Sequence, residues 1–127
     1  MTEIKIQETI ENLIHIFLEA GEISIDLRKK GLIKKIKSDN TPVTNGDLKV
    51  NEIITKKINE LVPNIPIISE EASENKSLKN LKDFWLIDPI DGTYDYVNDL
   101  DEFTINAGLI IDNQPVAGII YAPAKKR

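Results

Sequence analysis

The sequence predicts an α+β fold in which two N-terminal helices pack on a largely antiparallel sheet. Two long segments near the N terminus repeat apolar residues at helical spacing. The remaining apolar runs are short, rich in β-branched residues, and bounded by turn residues. The chain has 127 residues, of which 41% are hydrophobic and 29% charged, so we expect one soluble domain with a single core.

The two predicted helices have recognisable ends. The first covers residues 4–30, where apolar side chains recur every three or four positions, and Gly31 is suited to close it. The second begins after Thr44, a favourable N-cap residue, and ends before Pro63. Asp47 lies in its first turn, where the helix dipole favours an anion.

The predicted strands are short runs of alternating or β-branched residues. They cover residues 32–37, 65–69, 84–88, 103–111 and 116–121. The last two are joined across residues 112–115, whose Asp, Asn and Pro are typical of a hairpin connection. Lysines in the first of these strands are typical of an edge that is protected by charge.

Two carboxylates follow the apolar run at residues 84–87. Asp88 ends the run, and Asp91 follows after Pro89 and Ile90, so we expect both carboxylates on one tight turn, facing the same volume. Two carboxylates this close repel each other unless a hard cation lies between them, and such oxygen-rich sites suit Mg²⁺. Asp-Pro and Asp-Gly are also common turn dipeptides, so the motif alone leaves a structural turn open.

The strand at residues 65–69 ends in the same way, in Glu70 and Glu71. If both strands lie in one sheet with their ends aligned, Glu70 or Glu71 joins Asp88 and Asp91 around one point. Three or more carboxylates could hold two magnesium ions, with water completing the octahedra. A solvated loop is the alternative for the pair of glutamates.

Several ordered segments carry a resemblance to a known family. They are residues 37–47 (KSDNTPVTNGD), 68–71 (ISEE) and 85–93 (WLIDPIDGT). Together they resemble the inositol monophosphatase superfamily of Mg²⁺-dependent, lithium-sensitive phosphatases, over nearly the whole chain. Within it, residues 102–106 (EFTIN) and 118–123 (GIIYAP) resemble the bacterial 3'(2'),5'-bisphosphate nucleotidase branch. Residues 94–96 (YDY) depart from that branch, which usually has Lys-Glu-Phe there.

The resemblance implies a set of metal ligands. Glu70, Asp88 and the backbone carbonyl of Ile90 would bind one Mg²⁺, and Asp88 and Asp91 would bind a second. The complete enzyme would hold two or three ions. Glu71 would support these ligands without touching the metal.

The resemblance also implies catalytic and substrate-binding residues. Gly92 and Thr93 would contact the phosphate of the substrate, and Thr93 with Asp47 would orient and deprotonate a metal-bound water. Glu70 would take part in catalysis as a metal ligand. This chemistry needs no nucleophilic side chain, because a metal lowers the pKa of its bound water and the protein positions that water for attack.

These implications lead to an expected function with alternatives. We expect a Mg²⁺-dependent phosphomonoesterase that removes the 3'-phosphate of adenosine 3',5'-bisphosphate, leaving AMP and phosphate. An inositol-phosphate or sugar-phosphate phosphatase with the same metal site is one alternative. The other is a catalytically silent fragment that binds metal at most.

The length of the chain bears on these alternatives. Members of the resembled family usually have about twice this length and carry a further metal-binding aspartate in a Trp-Asp segment, whereas the one tryptophan here is Trp85. We therefore expect residues 1–127 to be an N-terminal metal-binding α+β domain without the C-terminal half, inactive or weakly active alone. We also expect an exposed apolar surface that promotes self-association. Its members would be Ile105, Leu109, Val116 and Ile119.

The composition of the chain limits the classes of binding partner that we expect. The absence of cysteine excludes disulfides and thiolate metal sites, and makes a cytoplasmic location the default. The net charge of −5 opposes binding of a nucleic-acid polymer. No apolar run approaches the ~20 residues of a membrane span, and no signal peptide is recognisable, so stable membrane insertion is not expected. The expected partner is a small phosphorylated substrate, by the resemblance a nucleotide.

Overall fold

A computed structural model of the chain describes residues 1–37, 42–69 and 81–127. The helices are α1 (Glu3–Lys30), α2 (Asn45–Leu61) and α3 (Thr93–Val97). The strands are β1 (Lys34–Ile36), β2 (Pro42–Thr44), β3 (Ile67–Ser69), β4 (Phe84–Asp91), β5 (Thr104–Ile111) and β6 (Gln114–Tyr121), and a 3₁₀ turn follows at Pro123–Lys125. The predicted α+β class is confirmed.

The described strands form two sheets. β1 and β2 make a short antiparallel ribbon, and the other four strands lie in the order β3-β4-β5-β6. β3 runs parallel to β4, and the other neighbours are antiparallel, which confirms the prediction of a largely antiparallel sheet. β2 was not predicted from the sequence, because a three-residue strand that begins with proline has no usable periodicity.

The long helices begin and end as the sequence predicts. The side chain of Thr2 accepts a hydrogen bond from the backbone N–H of Lys5 and caps α1. Gly31 follows α1 with φ of 94°, and its N–H donates to the carbonyl of Arg28. None of the helices in the described ranges is long and apolar enough to span a membrane.

The core lies between the two long helices and one face of the four-stranded sheet. α1 packs against α2, and α2 packs against β4. Side chains from all these layers meet in one buried apolar cluster. Its fully buried members include Leu13, Val50, Ile54, Ile58, Trp85, Phe103, Ile105 and Leu109.

The burial of two residues in this core contradicts the expectation that they lie on an exposed surface. Ile105 and Leu109 were expected on an exposed apolar surface, but both are fully buried. They lie on the face of the central strand β5 that the helices cover. Val116 is 43% exposed, as expected. Leu86 and Ile120 are 48% and 73% exposed on the opposite face of the sheet, which we call the outer face. The expected self-association stays a prediction, and it now concerns the outer face.

The connection between β5 and β6 is tighter than expected. Asp112 and Asn113 have φ of 51° and 63°, and Ile111 pairs directly with Gln114. Two central residues with positive φ are typical of the type I′ turn that favours hairpins. Pro115 therefore lies within β6, where an edge strand tolerates a missing N–H.

Candidate metal and phosphate site

An extra residue in β4 sets the geometry of the two aspartates. Asp88 pairs with Asn106, and Asp91 pairs with Thr104, so three steps along β4 match two steps along β5. This is the pattern of a β-bulge. In a regular strand, residues three apart point to opposite faces. The bulge returns Asp91 to the face that Asp88 occupies.

The burial of the four residues in this segment agrees with the pairing. Pro89 and Ile90 are both buried, whereas Asp88 is half-buried and Asp91 is exposed. Two consecutive inward residues are what a bulge produces, and proline is accommodated there because the ladder is interrupted. The expected tight turn at the end of the strand is therefore a bulge inside it. The strand continues to Asp91 because Asp91 still pairs with β5.

The ends of β3 and β4 are aligned, as the sequence hypothesis required. Ser69, the last residue of β3, is the parallel register partner of Ile87, the residue before Asp88. The Ser69 hydroxyl also donates to Oδ1 of Asn51 on α2 at 2.5 Å. Glu70 and Glu71 lie outside the described residues, so their predicted roles stay predictions.

The residues after the bulge turn sharply into α3. Gly92 has φ of 89°, a left-handed conformation that glycine adopts without strain. A Cβ at this position would lie 3.4 Å from the carbonyl oxygen of Glu102 and 3.4 Å from Cα of Phe103. The positive φ therefore favours glycine, since a Cβ at these distances would make only ordinary van der Waals contacts. Thr93 begins α3 directly after it.

Asp47 is buried at the start of α2, where Thr44 holds its carboxylate. The N–H and the hydroxyl of Thr44 both donate to Oδ2 of Asp47, at 2.8 and 2.6 Å, and the N–H of Asp47 donates back to the Thr44 hydroxyl. This capping box confirms the predicted cap. Burial raises the pKa of Asp47, while the bonds from Thr44 and the charge of Lys37 oppose that rise.

Tyr96 connects α3 to the two long helices. Its hydroxyl donates to the carbonyl of Ser24 on α1 at 2.7 Å. Its ring lies so close to α2 that a Cβ on Gly46 would be 2.1 Å from the Tyr96 hydroxyl oxygen. Burial raises the pKa of Tyr96, and the nearby negative charge of Asp47 raises it further. Thr93 is one turn before Tyr96 in α3, although no hydrogen bond links Thr93 to Asp47 among the described residues.

Arg28 holds the segment that follows α3. Its guanidinium donates to the carbonyl of Leu100 at 2.6 Å and lies 3.2 Å from a carboxylate oxygen of Asp99. The same group stacks over the rings of Tyr96 and Phe103, 5.7 and 5.0 Å from their centroids. α1 therefore holds the segment that follows Gly92, from α3 to Phe103. Sequence analysis missed Arg28 and Tyr96, because their partners are about 70 residues away along the chain.

The described residues include three candidate metal ligands at the bulge. No group of three or more His, Cys, Asp or Glu side chains that could hold a metal ion occurs in ranges 1–37, 42–69 and 81–127. Those ranges contribute the carboxylates of Asp88 and Asp91 and the backbone carbonyl of Ile90. All of these donors are oxygens, which suits Mg²⁺. His15, the one histidine, is exposed on α1.

Comparisons with known proteins show which proteins this chain resembles. A model of the inositol monophosphatase family matches residues 5–127. The 3'(2'),5'-bisphosphate nucleotidase CysQ of Haemophilus influenzae is 36% identical over 119 residues, which cover 92% of this chain and 44% of that protein. The crystal structure of CysQ from Bacteroides thetaiotaomicron is 32% identical, with a TM-score of 0.67 over 89% of this chain and 41% of the other.

A third likeness concerns the fold alone. The crystal structure of an IMPase/NADP phosphatase complexed with Mg²⁺ and phosphate has a TM-score of 0.78 and 22% identity. The match covers 94% of this chain and 46% of that one. The chain thus spans less than half the length of each of these three relatives.

The raised pKa of Asp47 predicts a pH dependence of stability. Its ordinary value is 3.8, and burial raises it in the folded protein. Between the two values the native state binds more protons than the unfolded state, so the free energy of unfolding should fall as pH rises through that window. The side chain in Asp47→Asn cannot titrate. The free energy of unfolding of the wild type minus that of the variant, measured by urea denaturation, should therefore fall as pH rises through this window. A difference that stays constant or grows with pH would contradict the raised pKa.

The contact between Gly46 and Tyr96 predicts a steric effect. Gly46→Ala should lower the free energy of unfolding by about 1–3 kcal/mol, because the new Cβ forces two helices apart. Gly108→Ala is the matched control, since a Cβ there meets nothing within 4 Å. The double variant Gly46→Ala/Tyr96→Phe should recover part of the loss. Equal effects of the two alanine substitutions in urea denaturation would rule out a tight contact.

Proposed function

Since this chain belongs to the inositol monophosphatase family, we propose that it forms the metal-binding and phosphate-binding part of a Mg²⁺-dependent phosphomonoesterase. The observation that carries the proposal is the bulge in β4, which places Asp88 and Asp91 on one face directly before Gly92 and Thr93. Two carboxylates and a phosphate have the same sign of charge. They can share a site only if cations lie between them.

The proposed metal ligands are the oxygens at the ends of β3 and β4. Asp88, Asp91, the carbonyl of Ile90 and Glu70 would hold two or three Mg²⁺ ions. When bound, the metal supplies charge neutralisation at the phosphate and a water of lowered pKa. Ile90 suits its role because its buried side chain fixes the backbone that carries the carbonyl.

The remaining residues would position the substrate and accept a proton. The N–H of Gly92 and the hydroxyl of Thr93 would donate to phosphate oxygens. Both bonds from Thr44 end on Oδ2 of Asp47, and we assign proton acceptance to Oδ1. Burial supports this role, because a raised pKa makes Asp47 a stronger base than an exposed aspartate.

The proposed substrate is adenosine 3',5'-bisphosphate, which would lose its 3'-phosphate and leave AMP. Support comes from the two relatives named CysQ and from the match at residues 102–106. An inositol phosphate is the second candidate, because residues 94–96 depart from the nucleotidase pattern. Lithium sensitivity and a cytoplasmic location belong to the same proposal.

Metal binding provides the first test of the proposal. Millimolar Mg²⁺ should raise the melting temperature, because a ligand that binds only the folded state stabilises it. Asp88→Asn should abolish this increase, Glu71→Gln should weaken it less, and Asp101→Asn, an exposed aspartate outside the site, should leave it intact. Thermal melts with and without Mg²⁺ give the result. If Mg²⁺ changes no melting temperature, or stabilises Asp88→Asn as much as wild type, the site is not formed as proposed.

Substrate preference provides the second test. The longest natural polypeptide that contains this sequence should hydrolyse adenosine 3',5'-bisphosphate with a higher kcat/KM than inositol 1-phosphate. The opposite ranking would favour the inositol branch. Residues 1–127 assayed alone should be slower by at least ~10²–10³-fold, the typical cost of losing one group that stabilises the transition state. Equal rates would show that these residues suffice for catalysis.

A further inference from the structure

The strand β5, which pairs with the segment that carries the two aspartates, has two polar side chains to which the proposed function assigns no role. Thr104 and Asn106 are two residues apart on β5, so they share one face of the sheet. Their register partners are Asp91 and Asp88. Residues directly opposite each other in an antiparallel pair have Cβ atoms about 4.5–5.5 Å apart. Each aspartate therefore has a polar neighbour across the strand boundary.

The two polar side chains are joined to each other. Nδ2 of Asn106 donates to Oγ1 of Thr104 at 3.0 Å. A hydroxyl that accepts a hydrogen bond still has its own hydrogen to donate. Both residues are half-buried, so this polar pair is partly shielded from water.

The surroundings of the pair are mostly apolar. The groove on the outer face that contains Asp88 and Asn106 is otherwise lined by leucine, isoleucine and small residues. Its other lining residues include Leu86, Ile120, Gly108 and Gly118. Hydrogen bonds are stronger in such surroundings than in water. Asn106 therefore lies beside Asp88 in a largely apolar groove.

From this placement we propose that Thr104 and Asn106 are positioning residues that hold the side chains of Asp91 and Asp88 ready for metal binding. The inference rests on the proposed function. Two carboxylates on one face repel each other and turn apart unless donors hold them. The hydroxyl and amide groups of β5 are such donors, and the bulge is what brings the aspartates opposite them. Partners that orient metal ligands typically account for 10–100-fold in metal affinity.

The test measures Mn²⁺ affinity of the full chain by electron paramagnetic resonance. Thr104→Val, which removes the hydroxyl at constant shape, should weaken binding by about 10–100-fold, and Asn106→Leu should do the same. Thr104→Ser keeps the hydroxyl and should bind nearly as wild type does. Thr55→Val is the matched control, because its hydroxyl bonds to backbone carbonyls within α2, away from the two aspartates.

Asp88→Asn separates failure of this inference from failure of the proposed function. If wild type binds Mn²⁺ no better than Asp88→Asn, the proposed function itself fails. If Asp88→Asn loses binding while Thr104→Val and Asn106→Leu keep it, only the positioning role is overturned. Equal weakening by Thr104→Ser and Thr104→Val would also overturn it, because packing rather than the hydroxyl would then matter. Should one variant fail to fold, the other still decides the question.

Discussion

The geometry of the site depends on one extra residue in β4. Asp88 and Asp91 are three residues apart, and a regular strand would place their carboxylates on opposite faces of the sheet. The bulge turns Pro89 and Ile90 inward and leaves both carboxylates on the outer face. Because Ile90 is anchored in the core, the bulge cannot shift without exposing apolar surface. A packing constraint thus keeps two carboxylates on one face of the sheet.

Side-chain contacts from the helices hold a second part of the same region in place. Tyr96 is fully buried between α1 and the start of α2, and Arg28 stacks on its ring while holding the carbonyl of Leu100. The turn at Gly92 and the buried carboxylate of Asp47 are therefore fixed by shared contacts. The bulge determines where the carboxylates lie, and the aromatic contacts help to determine where the turn proposed to bind phosphate and the proposed base lie.

Much of the fold could be predicted from the sequence because its signals are local. Helical periodicity and caps predicted α1 and α2, including the capping role of Thr44. Alternating and β-branched runs predicted five of the six described strands, and the hypothesis that β3 and β4 end at the same level agrees with their register. The two aspartates could be identified as a pair from their spacing around Pro89.

The remaining features depend on contacts between distant residues. Pro89 was interpreted as ending the strand, because the pairing of Asp91 with Thr104 is invisible in a single segment. The face on which Ile105 and Leu109 lie depends on which side of β5 the helices cover, and the expectation was wrong. α3 has five residues, too few for periodicity, and its anchor on Ser24 is 72 residues away. The hydrogen-bonded pair of Thr104 and Asn106 lies opposite both aspartates because of the bulge, which the sequence does not reveal.

Anomalous diffraction from crystals of the protein grown with Mn²⁺ tests the central claim most directly. The account predicts a peak at coordinating distance, about 2–2.5 Å, from carboxylate oxygens of both Asp88 and Asp91 on the outer face of the sheet. A peak bound to only one of them, with the other carboxylate on the opposite face of β4, would contradict it.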